Sequence, residues 1–150
     1  MEFIEAGGYD RSELWLSEGW KTAQQKGWEA PLYWERLGGQ WWSQTMSGIR
    51  RIDEHGPAAH VSYFEADAFA CWSGKRLPTE HEWEHAASLG PITGNFMESG
   101  LFHPVSAPVG ETGLQQIYGD LWEWTQSPYT PYSGYRPLDG ALGEYNGKFM

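Results

Sequence analysis

The amino-acid sequence predicts an α+β domain with short strands, a few helices and much irregular loop. Three observations support this prediction: the chain has 150 residues, it contains 19 glycines, and it contains ten tryptophans and eight tyrosines. A chain of this length can bury a core of its own, so we expect residues 1–150 to form one domain. Aromatic side chains bury large areas and glycines permit tight turns, which together favour a compact fold with little regular structure.

Three helices are predicted by their capping signals. In each, Asp, Ser or Thr is followed three positions later by Glu, which is the spacing of a capping box, and a glycine marks the end. With their flanking residues, the predicted helices span 10–27, 62–74 and 79–90. A short link that contains Pro78 separates the last two.

Short strands are predicted at three places: 32–34, 41–42 and 121–125. Gly38 and Gly39 stand between the first two strands and predict a hairpin turn. Gly, Pro, Ser and Thr dominate residues 90–113 and 127–147, so both stretches are expected to be loops.

The charge and hydropathy of the chain exclude several classes of function. Ten Lys and Arg residues against 20 Asp and Glu give a net charge of −10, which disfavours binding to nucleic acid or to an anionic membrane. The mean hydropathy is −0.60, and neither an export signal nor an apolar run of membrane-spanning length is present. The single cysteine, Cys71, cannot form an internal disulfide. We therefore expect a cytoplasmic protein.

Two segments carry a family resemblance. Residues 76–84 read RLPTEHEWE and residues 119–125 read GDLWEWT. The first is similar to the RLPTEAEWE signature, and the second to the G-[ND]-x-W-E-W-T signature, of the formylglycine-generating-enzyme-like (sulfatase-modifying factor) family. The resemblance implies the fold of that family, which resembles C-type lectins.

Further segments look like one branch of that family, the sulfoxide synthases of ergothioneine biosynthesis: 3–9, 27–34, 60–66, 127–129 and 143–150. These enzymes are similar in using non-haem iron(II) and oxygen to join a thiol, γ-glutamylcysteine or cysteine, to trimethylhistidine. Their iron ligands lie in an upstream helical-bundle domain with an H-x3-H-x-E motif, which is absent from this sequence. The resemblance therefore implies a substrate-binding fragment, truncated at both ends, that acts with a separate iron-binding bundle.

Two other functions remain open at this stage. A domain of this fold could be a ligand-binding or interaction module without catalytic activity. It could also be a sulfatase-modifying oxidase, but those enzymes resemble copper proteins that use a pair of cysteines. Cys71 is the only cysteine here, and we expect it to be a buried, inert thiol on the second helix.

Tyr129 is the candidate catalytic residue. Catalytic groups often lie on loops that a rigid scaffold holds, and the resemblance implies a tyrosine hydroxyl in this region that donates a proton during the reaction. A phenol suits this role because it can donate a proton while it is neutral at physiological pH. Tyr132 and Tyr135 are close enough in sequence to be alternatives, and a packing role is the simpler explanation of all three.

Candidate substrate-binding residues are Trp122, Trp124 and Tyr132. An aromatic cage for the trimethylammonium group could also include Trp28, Trp34, Trp41 and Trp42, since ring faces attract cations. A place in the core is the alternative for each tryptophan. The resemblance also implies a structural calcium ion, for which the candidate ligands are Gln116, Gly119, Leu121 and Glu123. Gln116 stands where relatives have asparagine, and both residues offer an amide oxygen of the kind that hard cations accept.

Residues 81–85, HEWEH, match the zinc-protease pattern H-E-x-x-H. The position of the match argues against that function. His81 falls in the first turn of the predicted helix, and Glu82 is the residue that a capping box turns back towards Thr79. We therefore predict a helix cap here and no shared metal between His81 and His85.

Overall fold

The computed structural model describes residues 1–108 and 113–144. The helices are α1 (Glu2–Glu5), α2 (Ser17–Lys26), α3 (Tyr63–Trp72) and α4 (Glu80–Ser88). The strands are β1 (Trp34–Leu37), β2 (Gln40–Thr45) and β3 (Gly48–Arg51). Short 3-10 turns lie at Gly8–Asp10, Ser12–Leu14, Met97–Ser99 and Ala141–Glu144.

This composition of elements confirms the α+β class, while the likeness to C-type lectins stays a prediction. Most of the two predicted loops is irregular backbone, apart from two of the short 3-10 turns. Residues 109–112 of the first loop, residues 145–147 of the second, and most of the segment 143–150 lie outside the described residues. No helix in the described part of the chain is long and apolar enough to cross a membrane.

The capping boxes predicted at Ser62 and at Thr79 are both confirmed. At α3, Ser62 Oγ accepts a hydrogen bond from the Glu65 N–H, and Glu65 Oε2 accepts one from the Ser62 N–H at 2.7 Å. At α4, Thr79 and Glu82 form the same reciprocal pair. These bonds satisfy backbone donors that have no partner inside the helix.

The capping box predicted at Asp10 is wrong. Asp10 ends a 3-10 turn, and α2 begins at Ser17 with Leu16 as its cap and no side-chain capping bond. The reason is tertiary packing: Tyr9 is buried, and Trp15 is buried with its Nε1–H donating to the carbonyl of Gly8 at 2.8 Å. Burial of these two rings shapes the segment more strongly than local capping does. The predicted end of the helix is right, since Gly27 has a φ of 63°.

The three strands form an antiparallel meander in the order β1-β2-β3. Gly38 and Gly39 make the predicted turn, with φ angles of 57° and 81° that favour glycine. Of the first predicted strand only Trp34 is in β1, whereas the second lies wholly within β2. The strand β3 was not predicted.

The strand predicted at 121–125 is wrong, because this segment has no regular secondary structure. The alternation of Trp122 and Trp124 about Glu123 fits a strand, but within residues 1–108 and 113–144 no strand pairs with it. The backbone on either side of it is attached by an isolated bridge between Asn95 and Gly119 and by the hydrogen bond from the Gln126 N–H to the Pro78 carbonyl.

The core lies between the N-terminal turns and helix α3. Its buried members are Phe3, Tyr9, Leu14, Trp15, Ala23 and Ala68. Helix α2 approaches α3 closely, since a Cβ at Gly19 would lie 2.6 Å from Phe64. Glu65 is buried in this cluster and accepts a hydrogen bond from the Tyr9 hydroxyl at 2.6 Å. Burial, with the Glu65 hydrogen bond, raises the pKa of Tyr9.

Cys71 is exposed, so the prediction of a buried thiol is wrong. Ala70 before it is buried and Trp72 after it packs against the core, so the exposure of Cys71 differs from that of both its neighbours in α3.

Candidate functional site

An open cavity of about 1080 Å³ lies between α4 and the segment that contains the second signature. It brings together most of the candidate residues. Those that line it are Gly119, Leu121, Trp122, Glu123, Trp124 and Tyr129. Gln116 and Tyr132 are not part of its lining.

Helix α4 joins the two signatures into one wall of the cavity. The Nε1–H of Trp83 donates a hydrogen bond to Glu123 Oε2, which links the end of the first signature to the second. The Trp83 ring also meets the edge of the Tyr118 ring, with 6.1 Å between centroids. Tyr118 in turn donates from its hydroxyl to the carbonyl of Ala87 at 3.1 Å. Residues of α4 thus hold Glu123 of the second signature and Tyr118, the residue just before that signature.

Asp120 fixes the loops beneath the second signature. Its carboxylate accepts hydrogen bonds from Asn95 Nδ2 at 2.9 Å, from the Val105 N–H at 2.9 Å and from Gln116 Nε2 at 3.1 Å. Its own N–H donates to the carbonyl of Asn95 at 3.0 Å. Gly119 is needed beside it, because a Cβ there would lie 2.7 Å from the Asn95 nitrogen.

Asp120 and Asn95 were missed by the sequence reasoning. A signal was present for Asp120, since the second signature accepts only Asn or Asp after its glycine. Asp120 has a φ of 50°, and Asn and Asp are the non-glycine residues that tolerate this left-handed conformation best. No comparable pattern marks Asn95 in the sequence.

The two candidate tryptophans face the cavity in different ways. Trp122 is fully exposed, so a core position is wrong for this residue. Trp124 is half-exposed, donates from Nε1 to the carbonyl of Val61 at 3.0 Å, and meets the edge of the Tyr63 ring at 5.9 Å. One ring is thus held in place, while the other is fully exposed beside the cavity.

The loop tyrosines occupy different environments. Tyr129 lines the cavity with 62% of its surface exposed. The Tyr132 hydroxyl instead donates to Glu80 Oε1 at 3.2 Å and Glu84 Oε2 at 3.4 Å, both on α4. These hydrogen bonds raise the pKa of Tyr132, and the bond to Glu80 makes the largest contribution. The geometry favours Tyr129 over Tyr132 as the tyrosine that meets a ligand in the cavity.

The candidate calcium ligands fit a cation only in part. Glu123, Gly119 and Leu121 line the same cavity and offer a carboxylate and two carbonyl oxygens, the donors that calcium prefers. Gln116 departs from this set, because its Nε2 donates to the carbonyl of Val105 at 2.6 Å and its side chain lies outside the cavity lining. In the described ranges no three or more His, Cys, Asp or Glu residues are grouped so that they could hold a metal ion. That part of the chain therefore offers no residue set that fits an iron site.

The helix cap predicted at residues 79–82 is confirmed, with an additional partner. Glu82 accepts the Thr79 N–H at 2.8 Å and two hydrogen bonds from the Arg76 guanidinium at 2.8 and 2.7 Å. The Arg76 hydrogen bonds, followed by the Thr79 N–H, lower the pKa of Glu82 to about 2. A carboxylate with so low a pKa is a poor general base near neutral pH, so Glu82 is not suited to protease chemistry.

The fold and the two joined signatures define a domain of the sulfatase-modifying factor type. The family model described as the sulfatase-modifying factor enzyme 1-like domain matches residues 1–108, and the chain belongs to this family.

Among individual relatives, the chain is 40% identical, over 92% of its length, to a hercynine oxygenase of Mycobacterium tuberculosis. It is 38% identical, over 91% of its length, to a hercynine oxygenase of Mycolicibacterium smegmatis. It is also 30% identical, over 89% of its length, to a formylglycine-generating enzyme of Mus musculus. The chain spans 37%, 36% and 44% of the lengths of these three proteins.

Proposed function

We propose that this chain is the substrate-binding part of a sulfoxide synthase that joins a thiol to trimethylhistidine (hercynine) in ergothioneine biosynthesis. The observation that carries the proposal is the cavity that gathers Trp122, Trp124 and Tyr129 beside the joined signatures. The similarity to two proteins named hercynine oxygenase supports the choice of substrate.

The aromatic residues of the cavity suit a quaternary ammonium ligand. A trimethylammonium group carries a positive charge but has no hydrogen to donate, so it is held best by ring faces. Trp122 and Trp124 offer such faces on one wall. Tyr132 would contribute only through its ring, because its hydroxyl is bonded to carboxylates of α4.

Tyr129 would donate a proton to the reacting atoms from its place on the cavity wall. Its exposed ring is accessible to a bound substrate, and an un-ionised phenol can release a proton to a strongly basic group formed during reaction. Iron(II), when bound by the separate helical bundle, supplies the oxygen chemistry. The substrates are then trimethylhistidine, the thiol and oxygen. We also propose that a structural calcium ion is bound by Glu123, Gly119 and Leu121. The location that we propose for the protein is the cytoplasm.

A binding experiment tests the proposal without requiring turnover. Trimethylhistidine is titrated into the chain, with histidine as the matched ligand that lacks the methyl groups, and tryptophan fluorescence is followed. Because cation–π contacts are worth about 0.5–2 kcal/mol, Trp122→Leu is expected to weaken trimethylhistidine binding by about 2- to 30-fold. The control variant is Trp34→Leu, which changes a tryptophan of strand β1. Trp20→Leu is unsuitable as a control because Trp20 packs against the core.

The expected result is a preference for trimethylhistidine over histidine that decreases in Trp122→Leu and persists in Trp34→Leu. Equal binding of the two ligands, or a preference that is unchanged in Trp122→Leu and Trp124→Leu, would exclude this cavity as the trimethylammonium site.

A further inference from the structure

The loop that carries Tyr129 is attached to the first turn of α4. The backbone N–H of Gln126 donates to the carbonyl of Pro78 at 2.7 Å. Ser127 Oγ accepts a hydrogen bond from the backbone N–H of Glu80 at 3.0 Å. Glu80 is the first residue of α4, and its N–H has no acceptor within the helix. Ser127 therefore caps this helix from a segment that is distant in sequence.

A second attachment follows on the other side of Tyr129. The Tyr132 hydroxyl donates to the carboxylates of Glu80 and Glu84, at 3.2 and 3.4 Å. These two glutamates lie four residues apart and so share one face of α4. The Tyr132 ring also meets the edge of the His81 ring, with 5.8 Å between centroids. Both attachments thus use the same helix.

Tyr129 lies between the two attachments. The span between Ser127 and Tyr132 is short and contains Pro128 and Pro131, each of which restricts its own φ angle. A short span that is closed at both ends and stiffened in this way has few backbone conformations. We propose that Ser127 and Tyr132 are positioning residues that hold this loop as a clasp on α4 and thereby fix the Tyr129 side chain in the cavity. The inference rests on the proposed function of Tyr129.

The first part of the test measures the clasp without any reaction. Position 129 is labelled with 3-fluorotyrosine, and its fluorine NMR signal is compared between the wild-type chain, Ser127→Ala and Tyr132→Phe. Both substitutions remove one hydroxyl, so the signal is expected to shift and its linewidth to change. In Ser127→Ala the Gln126 amide should also exchange its hydrogen about tenfold faster, the effect of losing one adjacent hydrogen bond.

Two controls separate the hydroxyl from general damage. Ser127→Thr keeps an acceptor at the same place and should restore both the signal and the slow exchange. Thr130→Val removes a hydroxyl within the same loop that donates a hydrogen bond to the nearby carbonyl of Pro128, at 3.5 Å, and should leave the signal unchanged. An unchanged fluorine signal in both Ser127→Ala and Tyr132→Phe would overturn the clasp.

The second part uses the chain assembled with its iron-binding partner. The kcat for sulfoxide formation should fall about 10- to 100-fold in Ser127→Ala and Tyr132→Phe, while KM for trimethylhistidine stays the same, because neither change removes a ring from the cavity. A shifted fluorine signal with unchanged kcat would overturn the positioning role. Tyr129→Phe is measured alongside, and an unchanged kcat in this variant would show that the proposed role of Tyr129 is wrong. In that case the fluorine NMR result alone confirms or overturns the clasp.

Discussion

Replacement of Tyr9 by phenylalanine tests how strongly one buried hydrogen bond stabilises the core. Tyr9 is 5% exposed, and its hydroxyl donates to Glu65 Oε1 at 2.6 Å. Glu65 is 7% exposed and uses Oε2 for the capping bond to the Ser62 N–H. The substitution keeps the ring and its packing. It leaves one carboxylate oxygen in a largely apolar cluster without its donor.

The expected loss in the free energy of unfolding follows from this geometry. A hydrogen bond to a charged group contributes about 1.5–3 kcal/mol, and a buried acceptor that loses its donor costs about the same amount. We therefore expect Tyr9→Phe to lower the free energy of unfolding by about 2–3 kcal/mol. At about 2–4 °C per kcal/mol for a chain of this size, Tm should fall by about 4–12 °C.

Urea unfolding followed by tryptophan fluorescence measures the change in free energy, and a thermal melt measures Tm. Tyr33→Phe is the matched control, since it removes the same atom from a ring that is half-exposed and meets only the edge of His60 among aromatic neighbours in the described ranges. Exposed changes of this kind usually stay within about 0.5 kcal/mol. If Tyr9→Phe is as mild as Tyr33→Phe, the stabilising role assigned to the Tyr9–Glu65 pair is refuted.

Three further predictions concern the site and its supporting helix. Tyr129→Phe should reduce sulfoxide formation by the assembled enzyme at least about 100-fold in favour of thiol oxidation, measured by mass spectrometry of the products; an intact yield would show that this hydroxyl is not the donor. The pKa of Glu82 is lowered from 4.5 to about 2, so its contribution is complete above pH 4.5 and is lost as the pH falls towards 2. An NMR titration of the Thr79 amide should follow that loss, and a midpoint at 4.5 would contradict it. Calcium added after chelation should raise Tm, and Glu123→Gln should abolish the rise; a rise that survives the substitution would place the ion elsewhere.

The helices at 62–74 and 79–90 could be predicted because their signals are local. A capping box involves only residues three positions apart, and both boxes formed as expected. The same pattern at Asp10 did not form, because burial of Tyr9 and Trp15 competes with it. The strand at 121–125 failed for a related reason: alternation describes one segment, whereas a strand also needs a neighbour that the sequence does not show.

The part of the site that lies in or beside the two signatures could be predicted from the sequence. The segment 119–125 supplied five of the six candidate residues that line the cavity, with Tyr129 following it. Gln116 lies outside the cavity lining because its side chain reaches towards Val105, a contact between loops that no local pattern encodes. Asn95 was missed for the same reason, since its partner Asp120 is distant in sequence.

Helix α4 connects these findings. The carboxylate of Glu82 binds Thr79 and Arg76, so it holds the first turn of the helix in place. That turn presents the Glu80 N–H to Ser127, at the start of the loop that carries Tyr129. The contacts that make Glu82 unsuitable as a protease base are therefore the ones that give the loop a fixed support. If the proposed function of Tyr129 holds, the HEWEH segment contributes by supporting the loop that carries Tyr129, with Glu82 serving as a helix cap.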